Sequence, residues 1–377
     1  MKFSPLSALK HRVVLGQPLP FNIRNADQTL LLARGQMIDS QEQMNALFER
    51  GALVDLAELQ TPLSRVLEAP RELLPALWEQ CLGQVGQTLR ASSQPGFSAA
   101  LNEVSQPVMS LIERDSDLAI FQVLRQSGNA HTEYGINHSL HAAIAASLVA
   151  QRLGWDATSS QTAFKAALTM NLAMLELQGQ LATQATAVTP AQRKAITAHP
   201  RESVHMLELA GITNTDWLRA VAEHHEVPDG TGYPAALREV SDIASLVRRA
   251  DMYTAKLSAR KGRDAMAADQ AGRMMFMQEP GHPMAAALVK EFGVYPPGCF
   301  VKLASGETAL VIKRGPTVTT PLVAALTSRR GETLTQPEPR DTSKREHAIT
   351  GIVGEQSMRV RVKEQKLMAM TMSLAQG

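Results

Sequence analysis

The sequence predicts a mainly α protein: a helical bundle in the centre, a small α+β unit before it and a small β-rich module after it. Three observations predict this. Apolar residues recur at helical spacing from about 70 to 292, they alternate near both ends of the chain, and turn-forming residues separate segments, as at Ser92-Ser93-Gln94-Pro95-Gly96. With 377 residues, 44% of them hydrophobic and 20% charged, the chain can bury a sizeable core and is long enough for two or three domains of roughly 100–200 residues. That balance disfavours disorder and collagen-like repetition.

The first unit, 1–65, is read from alternation at Phe21, Ile23, Leu30 and Leu32 around a polar turn at Asn25-Ala26-Asp27-Gln28, which predicts a hairpin. A short helix follows: Ser40 and Gln43 fit a capping box, Met44, Leu47 and Phe48 form a stripe, and Gly51 marks the stop. Connecting helices over 70–127 are read from Leu74, Leu77, Trp78, Cys81, Val85 and Leu89, and from Leu101, Val104, Val108, Leu111 and Ile112. Residues 128–293 continue the helical pattern, and 70–292 together suit a bundle of about eight helices. Over 294–377, Phe300, Val301 and Leu303, a Ser305-Gly306 turn and Ala309–Ile312 predict a hairpin. Ile349, Ile352, Met358, Val360 and Val362 extend the β character, while the polar Thr335–Arg345 reads as a loop.

Thirty-eight Lys and Arg stand against 36 Asp and Glu, so no whole-molecule field points to DNA or a membrane surface. Two distant cysteines, Cys81 and Cys299, support neither a disulfide framework nor a thiolate metal site. The start lacks an apolar leader, and no stretch reaches the ~18–20 apolar residues of a membrane span, so a cytoplasmic location is expected.

Seven of the ten histidines fall between positions 131 and 225. Imidazole is the commonest metal ligand, and helices of a bundle can aim several at one point. The adjacent pair His224-His225 is the most informative, because consecutive helical residues diverge by about 100° and the second needs its own reason to face inward. The pair opens the string His224-His225-Glu226-Val227-Pro228-Asp229-Gly230-Thr231-Gly232-Tyr233-Pro234. A helix from about Asp216 would deliver two imidazoles and a carboxylate, followed by a turn shaped by glycine and proline.

This string resembles the signature of the HD-GYP family, helical metal-dependent phosphohydrolases that hydrolyse the bacterial second messenger cyclic-di-GMP. The resemblance runs from about Tyr134 to Phe292. Tyr134-Gly135-Ile136-Asn137-His138-Ser139 is similar to the family's first histidine helix, Ala198-His199-Pro200 to its mid-domain histidine, and Ala250-Asp251-Met252-Tyr253-Thr254-Ala255 to its late aspartate helix. It implies an HD-type bundle and, as metal ligands, His138, His199, His224, His225 and Asp251, with His199, His224 and His225 sharing one ion and His138 and Asp251 remaining from the shell of another. It also implies phosphate contacts from Arg260 and Arg263, although the family's Arg-Pro-Tyr-Arg stands here as Arg260-Lys261-Gly262-Arg263.

One part of the pattern is missing. The family's His-Asp-x-Gly-Lys, with its bridging Asp and phosphate-binding Lys, falls on Met170-Asn171-Leu172-Ala173-Met174. A soft thioether and a neutral amide replace neither the imidazole nor the bridging charge. The resemblance then implies a degenerate member that holds at most a single Fe, Mn or Zn ion rather than two. Such a protein would serve cyclic-di-GMP signalling by binding the nucleotide, or by docking a GGDEF-type protein through the Gly232-Tyr233-Pro234 loop. The alternative is an active cyclic-di-GMP phosphodiesterase with an atypical or mononuclear site. The other histidines, His11, His131, His141, His205, His282 and His347, are read as structural or surface residues.

Overall fold

The structure is a computed structural model that describes residues 2–125, 130–354 and 367, apart from the side chains at 57 and 130–132. The chain forms two compact units, Met1–Ala69 and Pro70–Gly377.

The first unit carries an antiparallel sheet of β1 (Phe3–Pro5), β2 (Ile23–Arg24), β3 (Leu30–Leu32) and β4 (Leu53–Asp55), in the order β1-β4-β2-β3. Alternation places Ile23 opposite Leu32 across the expected hairpin. Helix α1 (Gln41–Glu49) starts as its cap predicts: Ser40 Oγ accepts from Gln43 N at 3.1 Å. It stops where Gly51 takes φ +66°, a left-handed conformation that a side chain would oppose. Met44 and Leu47 turn into a core with Leu6, Phe21, Ile38 and Val54. Two short helices, α2 (Leu56–Leu59) and α3 (Pro62–Glu68), close the unit.

The second unit is the bundle: α4 (Leu74–Arg90), α5 (Phe97–Arg114), α6 (Ser116–Leu124), α7 (Ala130–Arg152), α8 (Ala157–Thr169), α9 (Leu175–Thr183), α10 (Pro190–Leu209), α11 (Thr215–Glu223), α12 (Asp242–Leu257), α13 (Ala268–Gln278) and α14 (Pro283–Phe292). These are eleven helices among the described residues rather than about eight, because short segments such as α6, α9 and α11 carry too few turns for periodicity to separate. Helix α7 is the central strut. Residues 142–150 along it are all buried, and at Gly135 an added Cβ would fall 2.5 Å from Leu175 O, so glycine permits α9 to cross there. No helix among the described residues is long and apolar enough to cross a membrane.

A second antiparallel sheet joins the same unit: β5 (Phe300–Leu303), β6 (Thr308–Lys313), β7 (Leu322–Thr327), β8 (Thr333–Asp341) and β9 (Ile349–Val353), ordered β8-β7-β6-β5-β9. The expected hairpin is present, with Phe300 opposite Leu310. The expected loop over Thr335–Arg345 is instead largely strand β8. Its Pro339 pairs with Ala324 from the sheet's edge, where a missing N–H costs no ladder bond. Met358, Val360 and Val362 lie outside the described residues. Arg314 ties sheet to bundle, bonding Asp117 at the start of α6 and Glu291 at the end of α14. Cys81 and Cys299 are free and buried. The protein is thus mainly α with two small β modules.

Candidate metal centre

Helix α11 is fixed before its histidines are reached. Asn214 caps it, accepting from Trp217 N, and the buried Trp217 donates its indole N–H to Thr169 Oγ1 at 2.9 Å, anchoring α11 to the last turn of α8. The helix ends at Glu223, with His224 as its C-cap, so it does not carry the histidine pair as the sequence predicts. Glu226 N turns back onto Glu223 O at 2.7 Å, and Pro228 disfavours helical backbone at Val227. Freed from the 100° step, both rings approach His199 of α10, with centroids 5.1 Å away in each case.

His199, His224 and His225 bring one ligand nitrogen each to within 4.8 Å of one another, a group that could hold a metal ion. Their protonation follows from their partners. His199 Nδ1 lies 2.6 Å from Ile196 O, and His224 Nδ1 lies 2.7 Å from Val221 O. A main-chain carbonyl only accepts, so both Nδ1 atoms carry the proton and both Nε2 atoms present lone pairs. Those two Nε2 atoms are 3.1 Å apart. Burial pushes the His199 imidazole down to about 3, with His224 adding to it, and burial likewise lowers His224 and His225. Two neutral imidazoles with facing lone pairs cannot hydrogen-bond to each other, and a cation between them removes the conflict. The donor set therefore fits an ion of the Zn, Mn or Fe class.

Glu226 does not join the imidazoles. It is buried, and its two oxygens accept from Ala235 N at 2.6 Å and Leu237 N at 2.9 Å, clamping the returning loop. Sequence reasoning missed this role; the available signal was a carboxylate just ahead of a loop whose main-chain donors need partners. Gly232 packs so closely that an added Cβ would lie 2.4 Å from Val227 N. Tyr233, followed by a cis peptide to Pro234, stacks on His225 with centroids 4.5 Å apart.

His138 of α7 and Asp251 of α12 are joined to each other, Nε2 to Oδ1 at 2.6 Å, rather than to the three-histidine group. Burial opposes ionisation of Asp251, yet the His138 hydrogen bond and the nearby imidazoles hold its carboxyl well below the usual range. His138 Nδ1 is buried without a partner among the described residues. His141, one turn along α7, is buried and driven down to about 3 by desolvation and then by His138. The side chain of His131 lies outside the described residues.

Met170 and Asn171 sit at the end of α8, where the resemblance places the missing dyad, and both are buried. Arg260 donates from Nε to Tyr134 Oη at 2.9 Å with its guanidinium 5.1 Å from that ring, and Tyr134 in turn stacks on His138. Arg263 bonds the carbonyls of Ala255 and Ser258, so the structure turns it onto the end of α12. Arg248 and Arg249 share the single carboxylate of Glu279, at 2.8 and 2.7 Å. Arg248 also acts electrostatically on His225 and on a second carboxylate, Asp229.

Residues 122–280 match the family model described as HD domain. This segment, somewhat under half of the chain, is similar to an HD domain. Two curated relatives contain similar sequence. Cyclic di-GMP phosphodiesterase PA4108 of Pseudomonas aeruginosa is 32% identical over 140 residues, 36% of this chain and 34% of the relative. The 3'3'-cGAMP-specific phosphodiesterase 3 of Vibrio cholerae is 26% identical over 219 residues, 54% of this chain and 47% of the relative. The chain thus spans between a third and a half of the lengths of these relatives. Among solved structures, Bd1817, a HDG"Y"P protein from Bdellovibrio bacteriovorus, aligns with a TM-score of 0.51 over 77% of this chain and 98% of that one. At 16% identity, that likeness supports the fold.

Proposed function

We propose that the HD domain binds one divalent ion on His199, His224 and His225 and serves cyclic-dinucleotide signalling by binding the nucleotide, with hydrolysis impaired. The observation that carries this reading is the pair of facing Nε2 lone pairs, 3.1 Å apart, with both Nδ1 protons committed to main-chain carbonyls. When bound, such an ion supplies Lewis acidity toward a phosphoryl oxygen. The protein's own groups do the rest. Tyr233 covers His225, the Arg248 guanidinium acts on that ring and would suit a phosphodiester beside it, and Arg260 has terminal nitrogens that make no hydrogen bond among the described residues. Arg263 contributes only if it exchanges its carbonyl partners for phosphate.

Met170 and Asn171 underlie the impairment. Neither supplies the anionic oxygen that would bridge two ions, and Asp251 is already committed to His138. The second reading, an active phosphodiesterase with a mononuclear site, is favoured by the names of both curated relatives and by the fact that three imidazoles leave coordination positions open. A GGDEF-type partner docking on the Gly232-Tyr233-Pro234 loop is compatible with either reading.

The deciding experiment measures metal content of untagged protein beside His224→Ala/His225→Ala, then titrates cyclic-di-GMP and 3'3'-cGAMP while monitoring for linear product. About one equivalent of Fe, Mn or Zn, absent from the double variant, with nucleotide bound and intact, is the expected result. Metal-dependent linear product would establish the second reading. Protein that holds neither metal nor nucleotide would overturn both.

A further inference from the structure

We infer that Pro200 is a positioning residue for His199: by withholding a main-chain N–H inside α10, it reserves the carbonyl of Ile196 for His199 Nδ1 and keeps Nε2 bare toward His224. The purpose of this arrangement rests on the three-histidine reading above, whereas its geometry does not.

In an α-helix the carbonyl of residue i accepts from the N–H of i+4, so Ile196 O would ordinarily receive the N–H of residue 200. Proline has none, and its ring crowds the carbonyl four residues back and tilts it off the ladder. Helix α10 nevertheless continues from Pro190 to Leu209 through Pro200, which is buried beside His199. A proline in the interior of a helix is costly, unlike Pro190 at the first position, where no donor is needed. The carbonyl that loses its i+4 donor at Pro200 lies 2.6 Å from His199 Nδ1.

The second ligand reaches the same state by a different break. His224 Nδ1 meets Val221 O at 2.7 Å, again three residues back, in the last turn of α11 where carbonyls lose their helical donors. Two unrelated interruptions of helical hydrogen bonding thus place the proton on Nδ1 in both rings. The outcome is the 3.1 Å approach of two unprotonated Nε2 atoms. Outer partners that set the tautomer of a ligand histidine tune its affinity for metal.

The test uses the full chain labelled with 15N-histidine and stripped of metal, with tautomers read from two-bond 15N–1H couplings at pH 7.5. Wild-type His199 is expected to carry its proton on Nδ1. In Pro200→Ala the restored N–H competes for Ile196 O, so His199 should become a tautomer mixture and Zn²⁺ or Mn²⁺ affinity should fall about 10- to 100-fold. The thermal midpoint of the same metal-free variant should rise, because α10 regains a donor. A structural proline alone would not move stability and affinity in opposite directions. Pro190→Ala should leave the tautomer and the affinity unchanged.

An unchanged His199 tautomer in Pro200→Ala, or a lowered thermal midpoint, overturns the inference. Wild-type His199 protonated on Nε2 does so as well. A tautomer shift in Pro200→Ala with no metal bound by the wild type would uphold the role of Pro200 and defeat the metal-site reading.

Discussion

His199 and His224 face each other with two lone pairs 3.1 Å apart, whereas His138 and Asp251 satisfy one another at 2.6 Å. The difference separates two uses of buried polar groups in one bundle. A pair of facing acceptors leaves a demand that an added cation would meet, while an imidazole joined to a carboxylate has already met most of its own. The five residues thus sit as the set of three and the set of two that the family resemblance implies. The dividing line follows the loss of the His-Asp step at Met170 and Asn171.

This contrast can be broken most directly at the metal. His224→Ala should lower Zn²⁺ or Mn²⁺ affinity by roughly a thousandfold, beyond the 10–100-fold that loss of an outer partner costs. Asp251→Asn should cost about tenfold, since it removes charge but none of the three imidazoles. Isothermal titration of both variants checks the order, and equal losses would erase the division. Next in size is Gly232→Ala. Its Cβ would collide with main-chain atoms of Glu226 and Val227, so urea unfolding should show a loss of about 3 kcal/mol. An unaffected variant would mean that the loop is not packed against the main chain at Glu226 and Val227.

Acid sharpens the comparison further. His141 and His199 are held near 3 in the fold against an ordinary 6.5, so the unfolded chain binds their protons more tightly. Stability of metal-free protein is complete above about pH 6.5 and declines as pH falls, by about 2 kcal/mol for each such imidazole at pH 5. Asp251, lowered below its usual value, adds a loss of the same sign only below about pH 4. Urea midpoints that do not change between pH 7.5 and 5 would contradict the buried neutral state. The smallest effect belongs to Arg260→Ala, which removes the bond to Tyr134 and should cost about 1 kcal/mol or less of stability.

Much of the architecture was legible because the signals were local. Ser40 and Gly51 bound α1 as capping rules require, and the alternation at Phe300–Leu303 and Ala309–Ile312 became paired strands. Strand β8 was not legible: Pro337 and Pro339 read as loop residues, and only their place at a sheet edge makes them tolerable. The end of α11 was misjudged for a related reason. Its apolar period continues toward His224, but the stop is set by the return of Glu226 onto Glu223 and by the loop that Glu226 clamps.

The sequence by itself determined the mainly α class, the position of the histidine string and the presence of Met170-Asn171 where the resemblance places a His-Asp step, since each depends on residue type and spacing along the chain. Tertiary structure alone decided that His199 meets His224 across 25 residues, that Glu226 serves the loop, and that Arg260 lies on Tyr134. Periodicity records which face of a helix is buried but not which carbonyl lacks a donor or which lone pair meets another. Those relations arise only when separate helices pack and leave particular polar atoms without water.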